Sequence, residues 1–466
     1  MDRPLTEHTK FRAITRSNIE KLGQWAHLDS DLREAAEVVS LVLPFRTNAY
    51  VCDELIDWDR VPDDPIYQLT FPQRGMLTDE QFERIRVAKE AADADDAHKP
   101  LLDAEISRVR LELNPHPAGQ MTHNVPRVDG DPIEGMQHKY RETTLFFPSH
   151  GQTCHAYCTF CFRWAQFVGI EDLKFASREA DQLARYLKQN KRVTDVLFTG
   201  GDPMVMKARV LERYLEPILE IESVRTIRIG TKSVGYWPQR YVTDIDADDT
   251  LRLFERVVER GKHLAIMGHY SHAVELSTRV SREAVRRIRS TGANIRMQSP
   301  VIRHVNDDAG AWVDLWTRGT QMGLIPYYMF VERDTGAKSY FDMPLVRCWN
   351  IFRNAYQQVP GTARTVRGPS MSCFPGKVHI LGIADIGDEQ AFVLEFLQAR
   401  EPDMVRRPFF AKYDPKATWY DQLEPFGKGD EPFFIEPDAE TGMPVSLKVS
   451  ASGGERSRSR GAPARR

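Results

Sequence analysis

Residues 194–203 read Thr194-Asp-Val-Leu-Phe-Thr-Gly-Gly-Asp-Pro203, a short β-rich run that ends at two glycines. Similar runs recur along the chain, and amphipathic helical runs such as 178–190 and 281–291 lie between them. Repeated strand–helix units predict a parallel sheet that closes, fully or partly, into a barrel. The predicted strands are 144–148, 194–199, 226–231, 263–268, 294–299, 325–331 and 377–383.

The segments on either side of this repeat have a different character. Residues 1–140 have a helical and irregular pattern, whereas residues 141–400 contain the predicted barrel. Residues 401–450 are aromatic and proline-rich with weak periodicity, and the basic residues 451–466 predict a disordered tail. The predicted fold class is α/β: a partial, TIM-like (β/α) barrel with a helical N-terminal region and an irregular C-terminal extension.

The composition is that of a globular protein, with 41% hydrophobic and 28% charged residues among 466. The net charge of −3 gives no indication of binding to nucleic acid or to a membrane surface. No apolar run approaches 18 residues, and the polar N-terminus lacks a signal-peptide core. Together with the low number of cysteines, these features predict a cytoplasmic protein.

Three of the six cysteines, Cys154, Cys158 and Cys161, follow the first predicted strand with the spacing C-x3-C-x2-C. Three thiolates hold three corners of a [4Fe–4S] cluster and leave one iron open for a further ligand, whereas electron carriers use four. A zinc site with His155 as fourth ligand is the alternative, although structural zinc sites favour paired C-x2-C groups. The spacing therefore favours a cluster that takes part in chemistry.

A second motif, Gly200-Gly201-Asp202, comes directly after the strand at 194–199. The two glycines leave the backbone open to a close ligand, and the adjacent carboxylate is suited to an ammonium group. A strand followed by Gly-Gly-Asp-Pro is also typical of a tight turn with a helix cap. In a barrel, both motifs belong to the C-terminal ends of the strands, where the chemistry of such folds is found.

Together the two motifs resemble those of the radical S-adenosylmethionine (SAM) enzymes. The resemblance implies that the three cysteines bind the cluster, that SAM chelates the open iron, and that the Gly-Gly-Asp motif contacts the methionyl amino group. It also implies a reductant such as flavodoxin or ferredoxin. One electron then cleaves SAM to a 5′-deoxyadenosyl radical, which abstracts hydrogen from a small-molecule substrate.

The chain is similar to the lysine 2,3-aminomutase branch of these enzymes from about residue 43 to about residue 385. The matching stretches are Leu43–Tyr50, Leu55–Trp58, Asp64–Ile66, Gly135–Tyr140, Asp195–Asp202, Ile227–Lys232, Pro238–Arg240, His269–His272, Gln298–Arg303, Val305–Asp307 and Pro326–Val331. By this resemblance, His269 and Gln298 lie near SAM, and Arg163 holds the substrate carboxylate, for which a guanidinium is well suited. The alternatives are polar residues that only support the barrel loops, and a plain salt bridge for Arg163.

Lysine aminomutases also use pyridoxal 5′-phosphate (PLP), bound to a lysine that follows a run of glycines. The best match is Lys377, although only Gly376 remains of that run. The arginine expected to hold the cofactor phosphate aligns with Thr143, and Arg141 is a nearby substitute. The resemblance therefore leaves PLP binding open.

The positions that select the substrate differ from the family pattern. Two aspartates that hold the distal ammonium of lysine align with Arg333 and Arg367. Bases in place of acids repel an ammonium group, so the sequence predicts an amino-acid-like substrate other than free lysine. Local misalignment, with Glu332 or Asp334 as the acid, is the alternative. The zinc-binding cysteines that some members carry near the C-terminus are absent, which leaves homo-oligomerisation open.

The sequence thus predicts a radical SAM enzyme, an isomerase that carries out a 2,3-aminomutase-type amino migration. One alternative keeps the cluster and SAM but not PLP, and catalyses an epimerisation, dehydrogenation or rearrangement in secondary metabolism. The other is a non-catalytic iron–sulfur or zinc protein, which the intact Gly-Gly-Asp motif disfavours.

Overall fold

An eleven-stranded mixed sheet organises the chain. The computed structural model describes residues 8–115, 124–169, 176–178, 180–437, 444–447 and 458–459. The tail predicted for 451–466 lies outside the described residues except for the pair 458–459. No helix of the described part is both long and apolar enough to cross a membrane.

The strands and helices have the following bounds. The strands are β1 (Ala13–Thr15), β2 (Arg46–Asn48), β3 (Arg127–Val128), β4 (Asp131–Pro132), β5 (Met136–Tyr140), β6 (Thr143–Phe146), β7 (Asp195–Phe198), β8 (Thr226–Thr231), β9 (His263–His269), β10 (Asn294–Val301), β11 (Ile325–Val331), β12 (Arg367–Ser372), β13 (Gly376–Ile386), β14 (Glu389–Ala399), β15 (Phe409–Lys412), β16 (Ile435–Pro437), β17 (Pro444–Leu447) and β18 (Arg458–Ser459). The helices are α1 (Ser30–Val42), α2 (Pro65–Thr70), α3 (Asp79–Ala94), α4 (Lys99–Glu112), α5 (Ala180–Gln189), α6 (Ala208–Leu219), α7 (Ser233–Tyr236), α8 (Ala247–Glu259), α9 (Arg279–Ser290), α10 (Ala309–Gln321), α11 (Lys338–Phe341) and α12 (Leu345–Gln358).

Strands β6 to β12 are parallel and lie side by side in chain order. Helices connect most of them, as the repeat predicts. The antiparallel strand β5 extends one end of this series, and β13, β14 and β15 extend the other. The α/β class with a large mixed sheet is therefore confirmed.

One predicted strand has a different role in the sheet. The run 377–383 lies within β13, which is antiparallel, and the parallel strand before it is β12. The prediction missed β12 because its Gly368-Pro369 step is unfavourable in a strand. The placement of 377–383 in the strand–helix repeat was therefore wrong.

The two faces of the parallel strands carry different side chains. In β8, Ile227 and Ile229 are fully buried in the main hydrophobic core under the helices, and Arg228 between them is half-buried on the opposite face. Asp195 alternates with Val196 in β7 in the same way. Each fully buried aliphatic side chain stabilises the fold by about 1.5–3 kcal/mol, so the apolar face fixes the register of the strands. The charged face lies on the side away from the helices and is called the inner face below.

The N-terminal region packs directly on the loop that contains the three cysteines. Phe160 and Trp164 of this loop are buried in the same hydrophobic cluster as the N-terminal helices. The backbone N–H of Tyr157 donates to the carbonyl of Arg46 (2.7 Å), and that of Thr159 donates to the carbonyl of Leu69 (3.0 Å). The N-terminal region thus fixes the backbone of the cysteine loop.

Side chains from strands far apart in the sheet order contact one another. Trp164 Nε1, after β6, donates to Thr335 Oγ1, after β11, at 2.9 Å. Lys139 Nζ, in β5, donates to the carbonyl of Cys373, just after β12. Because neighbouring strands are about 4.8 Å apart, a flat sheet would separate β5 and β12 by roughly 33 Å. The inner faces of these strands must therefore approach each other.

Candidate active site

The predicted site residues lie mostly along one edge of the sheet. The cysteine loop follows β6, the Gly-Gly-Asp turn follows β7, and His269 ends β9. Gln298 pairs with His269 in register on β10, and Arg333 follows β11. The carboxyl ends of the parallel strands thus bring these five elements together, as expected for this class of fold.

The Gly-Gly-Asp turn is packed against the start of the cysteine loop. The backbone N–H of Asp202 donates to the carbonyls of Gly151 (2.9 Å) and Thr153 (2.7 Å). A Cβ atom at Gly201 would lie 2.5 Å from the amide nitrogen of Thr153, and Gly200 has a φ of +141°. Both glycines are needed for this close approach, because any side chain would push the two segments apart.

The Asp202 carboxylate is occupied by the protein itself. It is 1% exposed and accepts hydrogen bonds from the Thr231 hydroxyl (2.7 Å) and from the backbone N–H groups of Met204 (2.9 Å), Lys232 (2.9 Å) and Ser233 (3.0 Å). Burial raises its pKa, and these hydrogen bonds act in the opposite direction. The motif therefore offers a ligand its backbone, while the carboxylate fixes the turn to the end of β8.

The three thiols of the cysteine loop are free, partly exposed and close to one another. Burial raises the pKa of each of them, that of Cys158 to about 12. For Cys154 the neighbouring Asp202, Cys161 and Cys158 raise the pKa further. Three mutually repelling thiolates are stable here only beside positive charge, which an iron cluster supplies. The donor set thus fits a cluster bound by Cys154, Cys158 and Cys161.

Lys232 is a buried cation close to Cys158, with the Tyr236 side chain next to both. The Cys158 Sγ lies 3.8 Å from the hydroxyl oxygen of Tyr236, and Lys232 Nζ lies 4.3 Å from the centre of the Tyr236 ring. Lys232 is paired with the fully buried Glu275 at 2.6 Å.

In the described part of the chain, no three His, Cys, Asp or Glu side chains are arranged to hold a single metal ion.

Arg163 is a buried guanidinium without an acidic partner among the described residues. It is 5% exposed, its Cζ lies 4.2 Å from the centre of the Phe147 ring, and its Nε and Nη2 have no hydrogen-bond partner. Burial lowers its pKa to about 10, so it stays charged at neutral pH. A buried unpaired charge is costly, and a bound carboxylate would remove that cost through two parallel hydrogen bonds.

His269 lies over the cysteine loop as a neutral ring. Its imidazole stacks on Phe160 with 5.9 Å between the ring centres, and burial lowers its pKa to about 3. Its buried Nδ1 has no hydrogen-bond partner in the described part of the chain. The neighbouring Gln298 is half-buried. His269 thus lies against the cysteine loop, with Gln298 beside it in register on β10.

Lys377 is held between aromatic rings instead of carboxylates. Its Nζ lies 4.2 Å from the centre of the Tyr328 ring and 5.4 Å from that of Phe330. Burial, and then the nearby Arg228 and Arg367, lower its pKa to about 7. An amine that is about half neutral at pH 7 is suited to Schiff-base chemistry with a cofactor aldehyde. This environment fits PLP.

The residues expected near a cofactor phosphate are placed less favourably. The Thr143 hydroxyl donates to Asp195 at 2.9 Å, so it is already used. Arg141 is 54% exposed and pairs with its neighbour Glu142. The structure thus gives Arg141 a surface role, and the suggestion that it replaces the missing arginine is not supported by its position.

Arg333 and Arg367 do not converge on one group. Arg333 Cζ lies 5.7 Å from the rings of Phe162 and Trp419, next to the cysteine loop. Arg367 begins β12 opposite Tyr328 and is exposed. Contrary to the expectation from the sequence, the two arginines therefore do not contact the same part of a substrate, because they lie at opposite ends of neighbouring strands. Arg333 follows the carboxyl end of β11, whereas Arg367 begins β12.

The alternative acid, Glu332, faces a different neighbourhood from Arg333. Glu332 is 6% exposed, and neither of its carboxylate oxygens has a hydrogen-bond partner in the described part of the chain. Burial raises its pKa, followed by the charge of Asp342. Asp334 lies 4.0 Å from Arg333 Nε. The group that reaches the cysteine loop at this position is thus the Arg333 guanidinium.

Sequence reasoning missed several charged groups of the inner face. Lys139 is a second buried amine, whose pKa is lowered to about 7, chiefly by burial and further by the charges of Arg400, Arg333 and Lys377. Lys232 and Arg296 were also not singled out. Lys139 and Lys232 lie within stretches that match the family, so their position there was the available signal. Arg296 gives no such signal, because it is one charged residue within a β-rich run.

Comparison with known proteins decides the family. An Aquifex aeolicus protein named "Putative L-lysine 2,3-aminomutase" is 30% identical over 390 residues, which cover 84% of this chain and 90% of that protein. The chain belongs to the lysine 2,3-aminomutase family. The resemblance seen in the sequence is thereby confirmed.

Other members of the lysine 2,3-aminomutase family match over shorter stretches. The L-lysine 2,3-aminomutase of Bacillus subtilis is 23% identical over 295 residues, which cover 59% of this chain and 60% of that enzyme. The glutamate 2,3-aminomutase of Clostridioides difficile is 26% identical over 189 residues, 41% of this chain and 42% of that enzyme. Lysine 2,3-aminomutases are radical SAM isomerases that use a [4Fe–4S] cluster, SAM and PLP.

Solved structures add little to this assignment. Streptococcus suis SuiB bound to S-adenosylmethionine aligns with a TM-score of 0.33 and 12% identity, over 56% of this chain and 49% of that one. SuiB bound to its precursor peptide SuiA also gives 0.33 and 12%, over 54% and 50%. These values are too low to support a conclusion. No protein-family model matches the chain.

Proposed function

We propose that this member of the lysine 2,3-aminomutase family is a radical SAM enzyme that moves the amino group of an amino acid other than free lysine. The proposal rests on the direct backbone contact between two sequence motifs. The family's three-cysteine loop is bonded through its backbone to the Gly-Gly-Asp turn, and the unpaired Arg163 lies beside them. Lys377, with a lowered pKa, stands on the inner face of the same sheet.

The cofactors of the family fit the residues present. Cys154, Cys158 and Cys161 would hold the cluster, and the backbone of Gly200 and Gly201, with His269 and Gln298, would hold SAM. When reduced, the cluster and SAM together supply a 5′-deoxyadenosyl radical that abstracts hydrogen from the substrate.

The chain's own groups would bind and orient the substrate. Arg163 would receive the α-carboxylate on its free Nε and Nη2. Lys377 would hold PLP through its amino group, whose lowered pKa of about 7 leaves about half of it neutral at pH 7. Phe147 and Phe160 line this region and exclude water.

Arg333 supports a substrate with an anionic side group. Its guanidinium lies at the cysteine loop near Phe162, and its Nε has no hydrogen bond among the described residues, with Asp334 4.0 Å away. Burial lowers its pKa, which shows that its charge is poorly solvated. A distal ammonium would be repelled here, whereas a carboxylate or phosphate would be attracted.

Further parts of the proposal concern the whole molecule. The contacts of Trp164 with Thr335 and of Lys139 with Cys373 support a parallel sheet that curves into a partial, TIM-like barrel. The units 1–140, 141–400, 401–450 and 451–466, a flavodoxin or ferredoxin as electron donor, homo-oligomerisation and a cytoplasmic location all stay predictions.

The test is anaerobic reconstitution with iron and sulfide, followed by SAM, PLP and dithionite. We expect 5′-deoxyadenosine and a β-amino acid product from L-glutamate or O-phospho-L-serine, and little product from L-lysine. The variant Arg333→Asp is expected to shift the preference towards L-lysine. Efficient turnover of L-lysine by the unaltered enzyme would refute the substrate assignment, and Cys158→Ala serves as the inactive control.

One observation favours a second candidate, a radical SAM enzyme without PLP. Thr143 occupies the position of the phosphate-binding arginine, and Arg141 is turned to the surface. If PLP leaves no borohydride-stable label on Lys377 while SAM cleavage proceeds, this candidate replaces the aminomutase. Absence of SAM cleavage in the reduced, cluster-loaded protein would instead favour a non-catalytic iron–sulfur protein.

A further inference from the structure

Two consecutive tyrosines of β11 lie on the same face of the sheet. Their ring centres are 4.3 Å apart, although successive side chains of a regular strand point to opposite faces. The cause is a β-bulge: Met297 pairs with Pro326 and Gln298 with Tyr328, which leaves Tyr327 as the extra residue. Bulges re-aim side chains and are frequent beside functional sites.

Three cationic side chains, those of Arg296, Arg367 and Lys377, lie close to this pair of rings. Arg296 Cζ and Arg367 Cζ lie 5.2 and 4.8 Å from the centre of the Tyr327 ring. Arg367 Cζ also lies 5.2 Å from the centre of the Tyr328 ring, on which Lys377 Nζ stands at 4.2 Å. Arg296 and Arg367 therefore stand beside the amine that is suited to PLP.

No acid balances this group within the described part of the chain. The side chains of Arg296, Arg367 and Lys377 have no hydrogen bond or ion pair to another described residue, although their backbones pair within the sheet. The nearest inward carboxylate, Asp195, is committed to Arg228, which donates to it from Nε (2.8 Å) and Nη2 (2.5 Å). Arg228 is thus neutralised, and the charges of Arg296 and Arg367 are available to an outside anion.

We infer that Arg296 and Arg367, presented on Tyr327, form a binding site for a phosphate monoester whose other end reaches Lys377. Two guanidinium groups match the several oxygens of a phosphate dianion, and both lie close to the same ring, 5.2 and 4.8 Å from its centre. The site would take over the task of the arginine that Thr143 replaces. The phosphate has two sources, PLP itself or a phosphorylated substrate; the first rests on the proposed role of Lys377.

The experiment compares PLP with pyridoxal, which has the same aldehyde and no phosphate. Each is titrated against the cluster-loaded protein in phosphate-free buffer, trapped with borohydride, and quantified as label on Lys377. The unaltered protein is expected to prefer PLP at least tenfold. Arg296→Gln and Arg367→Gln are expected to lower the preference for PLP over pyridoxal by about tenfold to a hundredfold each, a ratio in which any change in the reactivity of the Lys377 amine cancels. The surface variant Arg252→Gln is the matched control.

A parallel titration with inorganic phosphate separates the two sources. If PLP and pyridoxal label equally, but phosphate raises the melting temperature of the unaltered protein and not of the two variants, the site serves a phosphorylated substrate. The inference is refuted if the double variant keeps the full preference for PLP over pyridoxal. It is also refuted if neither the labelling by PLP nor the effect of phosphate on the melting temperature differs between the unaltered protein and the variants. Failure to form 5′-deoxyadenosine would refute the proposed function and leave this site intact.

Discussion

The lowered pKa of Lys377 predicts an amine whose reactivity titrates near neutrality. The cation is disfavoured because the Nζ lies over Tyr328 and Phe330 and faces Arg228 and Arg367, with no carboxylate nearby among the described residues. With a pKa of about 7, half of the Lys377 side chains are neutral at pH 7. An ordinary lysine, with a pKa near 10.4, is neutral in roughly one molecule in 2,500 at that pH.

The assay is competitive labelling of the folded protein with a small acylating reagent between pH 5 and 11. Peptide mass spectrometry then gives the extent of reaction at Lys377 at each pH. Because the lowered pKa favours the neutral amine, labelling should rise with pH through a midpoint near 7. The same lysine in the urea-unfolded chain is the internal control, and its midpoint should lie near 10.4.

The variant Arg367→Gln tests the cause of the shift. It removes one like charge, so the midpoint should move up, but only in part, because burial is the larger cause. A midpoint above pH 9 in the folded, unaltered protein would refute the reasoning. It would mean that an anion or water shell reaches Lys377 and stabilises its charged form.

Three further predictions concern other parts of the site. Arg163→Gln should raise the KM for an amino acid about tenfold to a hundredfold, since a charged hydrogen-bonded pair is lost, and should leave SAM cleavage without substrate unchanged; an unchanged KM would contradict the carboxylate role. Gly201→Ala should lower cluster content and the melting temperature, because its Cβ would meet the Thr153 backbone at 2.5 Å, whereas Gly361→Ala, with open space around it, should not; equal effects would contradict the packing argument. Lys232→Met should destabilise the protein by about 3–5 kcal/mol, measured by denaturant unfolding, because it leaves the buried Glu275 carboxylate unpaired; a loss below 1 kcal/mol would contradict this.

The fold was predictable where local pattern and long-range packing agree. Strands such as β8 alternate buried isoleucines with inward polar residues, so their position and bounds can be read from the sequence. Strand β12 could not be found in this way, because Gly368 and Pro369 are poor strand residues and are accepted only through pairing with β11 and β13. The run 377–383 was assigned to the parallel series for the same reason, because the preceding strand β12 was not recognised.

The site was predictable where one short segment carries the chemistry. The cysteine spacing and the Gly-Gly-Asp turn are local, and the structure places them in direct backbone contact. The sequence already offered a helix cap at Asp202, and the Met204 N–H supplies it. The other three hydrogen bonds to this carboxylate were not predictable, since they come from Thr231, Lys232 and Ser233, some thirty residues further on. The position of Tyr327 next to both Arg296 and Arg367 depends on one extra residue in β11, which no periodicity argument detects.

The backbone of the cysteine loop is bonded to Arg46 and Leu69, whereas Arg333 and Arg367 belong to strands at the opposite end of the parallel series. This arrangement has an evolutionary consequence. If Arg333 and Arg367 have the proposed roles, changes after β11 or at the start of β12 would alter the compound that is accepted, although Arg333 also packs on Phe162 of the cysteine loop. A lineage could then exchange acids for bases at these positions and acquire a new metabolite, while the bonds from Arg46 and Leu69 to the backbone of the cysteine loop are kept.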